Sequence, residues 1–185
     1  MSNIISLTGD LGSGKSTVSA ILCETLGYKY VYTGQIQRKI AERYGMTTNE
    51  LNRYAETHPE IDEEIDSTFK ALNDAENLIV DSRLAWFFIP NSFKVFLKTN
   101  LEESIRRISG DKQRLNENYT SFQEAAKEIV ARKESEVKRY QQYYGVNCLE
   151  LANYNLIVDT SNIPPKQVAD IILENFEKWK LGVRG

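Results

Sequence analysis

Three glycines stand just ahead of a lysine and a serine near the N-terminus. Residues 9–16, GDLGSGKS, fit the pattern G-x-x-x-x-G-K-[S/T]. In such a loop successive backbone N–H groups converge on phosphate oxygens, the following helix adds its positive dipole end, and the lysine reaches the outer phosphates. The residues expected to bind the phosphates of ATP are Gly9, Asp10, Leu11, Gly12, Ser13, Gly14, Lys15, Ser16 and Thr17.

A glycine-rich turn with an exposed lysine is the alternative interpretation. The flanking segments favour phosphate binding, because residues 4–8 are typical of a strand and residues 16–26 of an amphipathic helix. The chain has no Asn-Lys-x-Asp segment of the GTPase kind and is short for a motor ATPase. What remains is a compact phosphotransferase with one small acceptor.

The elements that must position this loop alternate along the chain. Short β-rich runs at 4–8, 28–33, 78–81, 94–98 and 156–159 are separated by segments with helical periodicity, the last of them at 165–181. This predicts an α/β fold with a five-stranded parallel sheet flanked by helices, in one domain over residues 1–185. A polar helical insertion at 34–75 and a nearly apolar-free segment at 109–121 interrupt the pattern.

Acidic and basic residues follow the predicted strands. Asp81 ends the third strand, where its carboxylate could hold a water of a Mg²⁺ shell beside Ser16, or could only cap the next turn. Arginine suits phosphate because its planar fork binds two oxygens. The candidates are Arg38 and Arg83 near strand ends, Arg106, Arg107 and Arg114 around the polar segment, and Arg132 and Arg139 after it. Each could also be an ordinary surface arginine.

Spacings of four and three residues put Arg132, Glu136 and Arg139 on one helix face. On spacing alone, a solvated stripe of ion pairs is the preferred interpretation. His58, the only histidine, precedes Pro59 and is expected at a helix end or on the surface. Cys23 is expected to be a buried thiol in an apolar helical pattern.

The net charge of −3 and the pI near 5.4 argue against broad nucleic-acid binding. Two distant cysteines do not make a disulfide framework. No apolar run approaches the roughly 18 residues of a membrane span, and no signal-like segment begins the chain. We therefore expect a cytoplasmic protein, with a monomer favoured, whose partners are small-molecule nucleotides and neither nucleic acid nor membranes.

The ordered series of motifs resembles the cytidylate kinase family of nucleoside monophosphate kinases, in its compact archaeal-type branch. The resemblance covers nearly the whole chain and rests on GSGKST, the helix at 20–28, TGQIQRKIAERYGMT, LNRYAETHPEIDEEID, LIVDSRLAW and RKESEVKRYQQYYGVN. It implies the P-loop NTPase fold, ATP as phosphoryl donor, Mg²⁺ as cofactor, an acceptor-binding insertion at 34–75 and a lid at 109–121. Lys15, Asp81 and Arg132 would be the catalytic residues.

The resemblance also implies roles for individual residues. Thr33, Arg38 and Arg83 would bind the acceptor monophosphate, and Arg132 would clamp phosphate. Glu136 and Arg139 would recognise the edge of cytosine, whose N4 amino group donates to a carboxylate. Arg106, Arg107 or Arg114 would supply charge to the donor phosphates.

Some positions depart from the family pattern. Residues 81–84 are DSRL where many relatives have DGRD, Gln37 replaces a frequent aromatic, and Asp10 stands where proline is common. Phosphoryl transfer to CMP or dCMP is the favoured function. A kinase for another small acceptor, such as UMP or a metabolite, and a non-catalytic nucleotide-sensing module are the alternatives.

Overall fold

A computed structural model describes residues 3–72, 74–110 and 121–182. The strands are β1 (Ile4–Gly9), β2 (Lys29–Tyr32), β3 (Leu78–Asp81), β4 (Phe93–Lys98) and β5 (Leu156–Asp159). The helices are α1 (Lys15–Leu26), α2 (Thr33–Tyr44), α3 (Thr48–Ala55), α4 (Pro59–Lys70), α5 (Ala85–Phe88), α6 (Leu101–Gly110), α7 (Phe122–Tyr144) and α8 (Pro165–Lys180).

The five strands form one parallel sheet in the order β2-β3-β1-β4-β5. Strand β1 lies in the middle, and all six of its residues are buried, because helices cover both faces of a parallel sheet. The predicted α/β architecture is confirmed. The carboxyl ends of all five strands share one edge, so the loops that follow β1, β2, β3 and β4 open onto a common crevice.

Two apolar cores lie on opposite faces of the sheet. On one face α1 and α8 pack against the strands through residues such as Leu22, Ile172 and Phe176. On the other face the insertion helices α2, α3 and α4 pack with α5 and the end of α7, where Tyr140 and Tyr144 join the core. Helix α7 is thereby fixed to the insertion.

The insertion consists of three helices, α2, α3 and α4. Helix α3 begins with a capping box in which Thr47 and Glu50 satisfy each other's backbone N–H groups, and α4 begins with Pro59 after His58 as N-cap. Helix α2 begins at Thr33, immediately after β2.

The predicted lid at 109–121 is described only in part. Helix α6 runs to Gly110, so the first two residues of the lid are helical, and residues 111–120 lie outside the described residues.

The prediction that Cys23 is buried is wrong, because its thiol is only half-buried at the margin of the α1 and α8 core.

In the described part of the chain, no helix combines the length and the apolar character needed to cross a membrane.

Candidate active site

The glycine loop between β1 and α1 has positive φ at all three of its glycines, and at two of them a side chain has no room. Gly12 has φ +70°, and a Cβ there would lie 2.8 Å from the Ser104 carbonyl oxygen. Gly9 has φ +155°, and a Cβ there would overlap the Leu97 carbonyl. The loop therefore lies directly against β4 and α6.

The Lys15 side chain turns back over its own loop. Its Nζ donates to the carbonyl oxygens of Gly9 at 3.1 Å and Asp10 at 3.0 Å. The far end of the loop is fixed by Thr160, after β5, whose hydroxyl donates to the Ser13 carbonyl at 3.0 Å. Ser16 and Thr17 are exposed in the first turn of α1.

Asp10 connects the glycine loop to two other elements. One carboxylate oxygen accepts from the Thr99 backbone N–H at 3.1 Å, and the other accepts from Lys133 Nζ on α7 at 2.8 Å. A carboxylate here would repel a phosphate bound in the loop, and these two donors offset its charge. No spacing signal could reveal Lys133 as the partner of Asp10, because the two residues are 123 positions apart.

At the end of β3, Asp81 lies beside the start of α1 and of α2. The Tyr30 hydroxyl donates to Asp81 at 3.1 Å and also interacts with the Ser16 hydroxyl. The Thr33 hydroxyl donates to the Asp81 backbone carbonyl at 3.2 Å. Burial and the Asp81 charge raise the pKa of Tyr30, so it stays a neutral donor. The sequence does not reveal Tyr30 as a partner of Asp81, because Tyr30 is simply one residue of a predicted strand.

Arg83 lies at the centre of the crevice. Its guanidinium donates to the Gly9 carbonyl through one terminal nitrogen and to Glu136 through Nε at 2.7 Å. Glu136 also accepts from Arg132 Nε at 3.3 Å. Burial by itself would raise the pKa of Glu136, but the cations at Arg83, Arg132 and Arg139 outweigh it and lower that pKa.

Arg139 is directed into the protein. Its side chain is 5% exposed, and its Nε lies 2.9 Å from Asp62 Oδ2 on α4. One of its terminal nitrogens donates to the Asn52 carbonyl on α3 at 3.3 Å. Arg139 therefore connects α7 to α3 and α4, and Asp62 is a second residue that spacing could not reveal.

The other arginines predicted from the sequence lie at the insertion or around α6. Arg38 donates to the Tyr32 hydroxyl at 2.8 Å and is exposed at the start of the insertion. Arg107 donates to the carbonyls of Gly12 at 3.2 Å and Thr160 at 2.7 Å, beside the glycine loop. Arg106 is 73% exposed and pairs with Glu103, which also pairs with Arg107. Arg114 lies outside the described residues.

A cavity of about 210 Å³ lies between the glycine loop, α6 and α7. Asp10, Arg83, Lys133 and Glu136 provide its charged wall, and apolar residues such as Ile129 provide the rest. The cavity shares Arg83 and Glu136 with the crevice, so we treat the two as one site.

These residues fit a nucleotide with Mg²⁺. The glycine loop leads into the first turn of α1, where Ser16 is exposed, and the Asp81 carboxylate is held nearby through Tyr30. Among the described residues there is no group of three or more His, Cys, Asp and Glu side chains that could hold a metal ion. Ser16 and Asp81 are the residues that would hold Mg²⁺, Asp81 through water.

Comparison with known proteins agrees with this geometry. The protein-family model described as "Cytidylate kinase-like family" matches residues 4–162. A cytidylate kinase of Thermoplasma volcanium is 36% identical over 179 residues, which are 94% of this chain and 91% of the relative. A cytidylate kinase of Sulfurisphaera tokodaii is 33% identical over 172 residues, 91% of this chain and 92% of that one.

A further relative has a different name and a longer chain. An S-adenosylmethionine-dependent nucleotide dehydratase of Lacinutrix mariniflava is 38% identical over 180 residues, which are 96% of this chain but 37% of that protein. Among solved structures, shikimate kinase of Bacteroides thetaiotaomicron superposes with a TM-score of 0.66 at 18% identity, covering 96% of this chain and 97% of that one, which shows the shared fold. On the family match and these identities, the chain belongs to the cytidylate kinase-like family.

Proposed function

We propose that this chain transfers the γ-phosphoryl group of ATP to a nucleoside monophosphate, CMP or dCMP, giving the diphosphate and ADP. The observation that carries the proposal is the contact of Arg83 with both the Gly9 carbonyl and Glu136, which also accepts from Arg132. Transfer between two anions needs cations between donor and acceptor, and these arginines lie beside the glycine loop. The cytidylate kinases among the relatives support CMP as the acceptor.

On the donor side, the glycine loop and Lys15 bind the β and γ phosphates. Phosphate oxygens are stronger acceptors than the carbonyls of Gly9 and Asp10 that hold Lys15 Nζ, so the lysine turns toward them when ATP binds. Arg107 lies against the outer side of the loop and adds positive charge there. Arg106 and Arg114 are further candidates for the donor phosphates.

On the acceptor side, Thr33, Arg38, Arg83 and Arg132 bind the monophosphate. Thr33 and Arg83 follow neighbouring strands, β2 and β3, and so lie at the same edge of the sheet. Glu136 and Arg139 remain proposed contacts of the base, although both form ion pairs with protein groups in this structure.

The chemistry needs no covalent enzyme intermediate. The acceptor phosphate oxygen is an adequate nucleophile, so the protein contributes alignment and positive charge, with Lys15 and Arg132 facing the transferring group. Bound Mg²⁺ would neutralise charge on the donor phosphates, with Ser16 and Asp81 holding it, Asp81 through water.

An assay of ADP formation from MgATP tests the proposal, with CMP, dCMP, UMP, AMP and GMP added separately. We expect turnover with CMP and dCMP, and its loss in Lys15→Ala. Lys166→Ala is the matched control, because Lys166 is exposed on α8 and forms its ion pair with Asp170, one turn along the same helix. ATP binding without turnover of any monophosphate would contradict the proposal and favour a nucleotide sensor or a different acceptor.

A further inference from the structure

Two tyrosines of the edge strand β2 stack on one face of the sheet. Tyr30 and Tyr32 are two residues apart, so their side chains leave the strand on the same side. Their ring centroids are 4.9 Å apart, and the ring planes are 15° from parallel. Asp81 on β3 is the register partner of Tyr32, which puts the Asp81 side chain on that face as well. The two rings and Asp81 therefore share the face on which α1 packs.

The two tyrosine hydroxyls contact residues of different halves of the proposed reaction. The Tyr30 hydroxyl donates to Asp81 Oδ2 at 3.1 Å and interacts with the Ser16 hydroxyl, and both partners belong to the donor side. The Tyr32 hydroxyl accepts from a terminal nitrogen of Arg38 at 2.8 Å, and Arg38 belongs to the acceptor side. The Arg38 guanidinium carbon also lies 5.4 Å from the centroid of the Tyr32 ring. One stacked pair thus contacts both sides.

A neutral hydroxyl restrains a charged group without cancelling its charge. Burial and the neighbouring Asp81 carboxylate raise the pKa of Tyr30, so Tyr30 keeps its proton and donates it to Asp81. A lysine in its place would neutralise the carboxylate, whose charge is what attracts a metal and its water shell. In the same way, the Tyr32 hydroxyl takes one of the five N–H donors of Arg38 and leaves the positive charge for a phosphate.

Prior restraint matters most for Arg38, because its side chain is exposed at the start of the insertion. An exposed arginine loses side-chain freedom when it binds a phosphate, and a contact that already fixes the guanidinium reduces that loss. We propose that Tyr30 and Tyr32 are positioning residues, Tyr30 for Asp81 toward Mg²⁺ and Tyr32 for Arg38 toward the acceptor phosphate. This inference rests on the proposed function.

Phenylalanine substitutions test the two roles separately. Tyr30→Phe and Tyr32→Phe each remove one oxygen atom and keep the stacked ring, so the fold is preserved. The matched control is Tyr28→Phe, because Tyr28 lies just ahead of β2 and packs edge-on against Phe176 of α8, with ring centroids 6.4 Å apart. The control therefore loses the same atom on the same segment without a contact to Asp81 or Arg38.

Calorimetry of ATP binding, without any monophosphate, tests the donor side. The quantity to compare is the Mg²⁺-dependent gain in affinity, which is the Kd for ATP without Mg²⁺ divided by the Kd with Mg²⁺. We expect Tyr30→Phe to lower this gain about three- to tenfold, the scale of one hydrogen bond, because Asp81 is then less well oriented. Tyr32→Phe and Tyr28→Phe should leave the gain unchanged.

Calorimetry of CMP binding tests the acceptor side. We expect Tyr32→Phe to raise the Kd for CMP about three- to tenfold, because Arg38 is then fixed by the ring alone. Tyr30→Phe and Tyr28→Phe should bind CMP as the wild-type chain does. The inference thus predicts that each hydroxyl affects one ligand and not the other.

A different pattern would overturn the inference. Hydroxyls that only stabilise the fold would lower the Tm of the variants and leave both binding quantities unchanged, and a general distortion would weaken both quantities in both variants. A wild-type chain that binds no CMP would overturn the proposed function and the role of Tyr32, while the ATP measurement still decides the role of Tyr30. The expected binding pattern without any turnover would overturn the proposed function alone.

Discussion

Arg83 and Glu136 form an ion pair at 2.7 Å across 53 residues of sequence, with side chains 16% and 14% exposed. The pair joins the end of β3 to the middle of α7, and Arg83 also reaches the Gly9 carbonyl of the glycine loop. Burial by itself would lower the pKa of Arg83, but the Glu136 carboxylate raises it overall, so the guanidinium is fully charged where phosphate is proposed to bind.

Glu136→Gln should disturb both arginines. The amide cannot balance two guanidinium groups, so we expect kcat/KM for the monophosphate to fall about 10- to 100-fold, and unfolding free energy to fall by about 3 kcal/mol. Steady-state kinetics and urea unfolding measure these effects. The control is Glu134→Gln, an exposed position on the same helix. An unchanged kcat/KM in Glu136→Gln would show that the arginines are positioned without it.

Asp10 and Lys133 should behave as a coupled pair in donor binding. Lys133→Met leaves the Asp10 carboxylate unbalanced beside the phosphate site, so we expect KM for MgATP to rise about fivefold, the scale of a half-exposed ion pair. Adding Asp10→Asn removes that charge and should restore KM, because the amide oxygen still accepts from Thr99. A double-mutant cycle on KM measures the coupling. Additive effects would contradict the coupling and mean that Asp10 and Lys133 act on ATP binding independently.

Gly12→Ala should destabilise the chain more than Gly27→Ala, although both glycines have φ near +70°. A Cβ at Gly12 meets the Ser104 backbone at 2.8 and 2.9 Å, whereas nothing lies within 4 Å of one at Gly27. We expect Gly27→Ala to cost about 1 kcal/mol for its backbone and Gly12→Ala about 2 kcal/mol more. Equal losses in urea unfolding would show that α6 yields to the added methyl group.

Asp66→Asn should stabilise the fold at neutral pH. Burial raises the pKa of Asp66 to about 6, aided by Asp62 and Glu63 and opposed by the Tyr144 hydroxyl and Lys70. The folded chain therefore binds this proton more tightly than the unfolded chain, and stability falls as pH rises from about 4 to about 6. Above that window we expect Asp66→Asn to gain about 2 kcal/mol, and near pH 4 about nothing.

Thermal unfolding across the pH range measures the difference. Asp170→Asn is the control, since Asp170 is exposed on α8 and should show no such pH dependence. A constant difference between wild type and Asp66→Asn from acid to neutral pH would contradict the assigned pKa.

Local patterns in the sequence predict the elements well. The buried strand β1, the glycine loop and the helix start at Lys15 follow one another with the spacing of the G-x-x-x-x-G-K-[S/T] motif, and the order of apolar runs predicts the parallel sheet. The strand ends at Asp81 and Tyr32 then bring Asp81 and Thr33 to one edge of the sheet, as expected for parallel strands.

Partners that depend on packing between distant segments are not predictable in the same way. Lys133 and Asp10, or Asp62 and Arg139, carry no spacing signal, because their contacts depend on how α7 lies across the loop and the insertion. The same holds for Gln37, which looks like a departure from the family pattern in sequence and forms an amide pair with Asn52 in the structure.

The most direct measurement follows the γ-phosphoryl group itself. The wild-type chain would be incubated with Mg²⁺, CMP and ATP radiolabelled on its γ phosphorus, and the labelled products separated by chromatography. The account predicts label in CDP, little label in inorganic phosphate, and no labelled CDP from Lys15→Ala. Label found only in inorganic phosphate, or only in unchanged ATP, would contradict it.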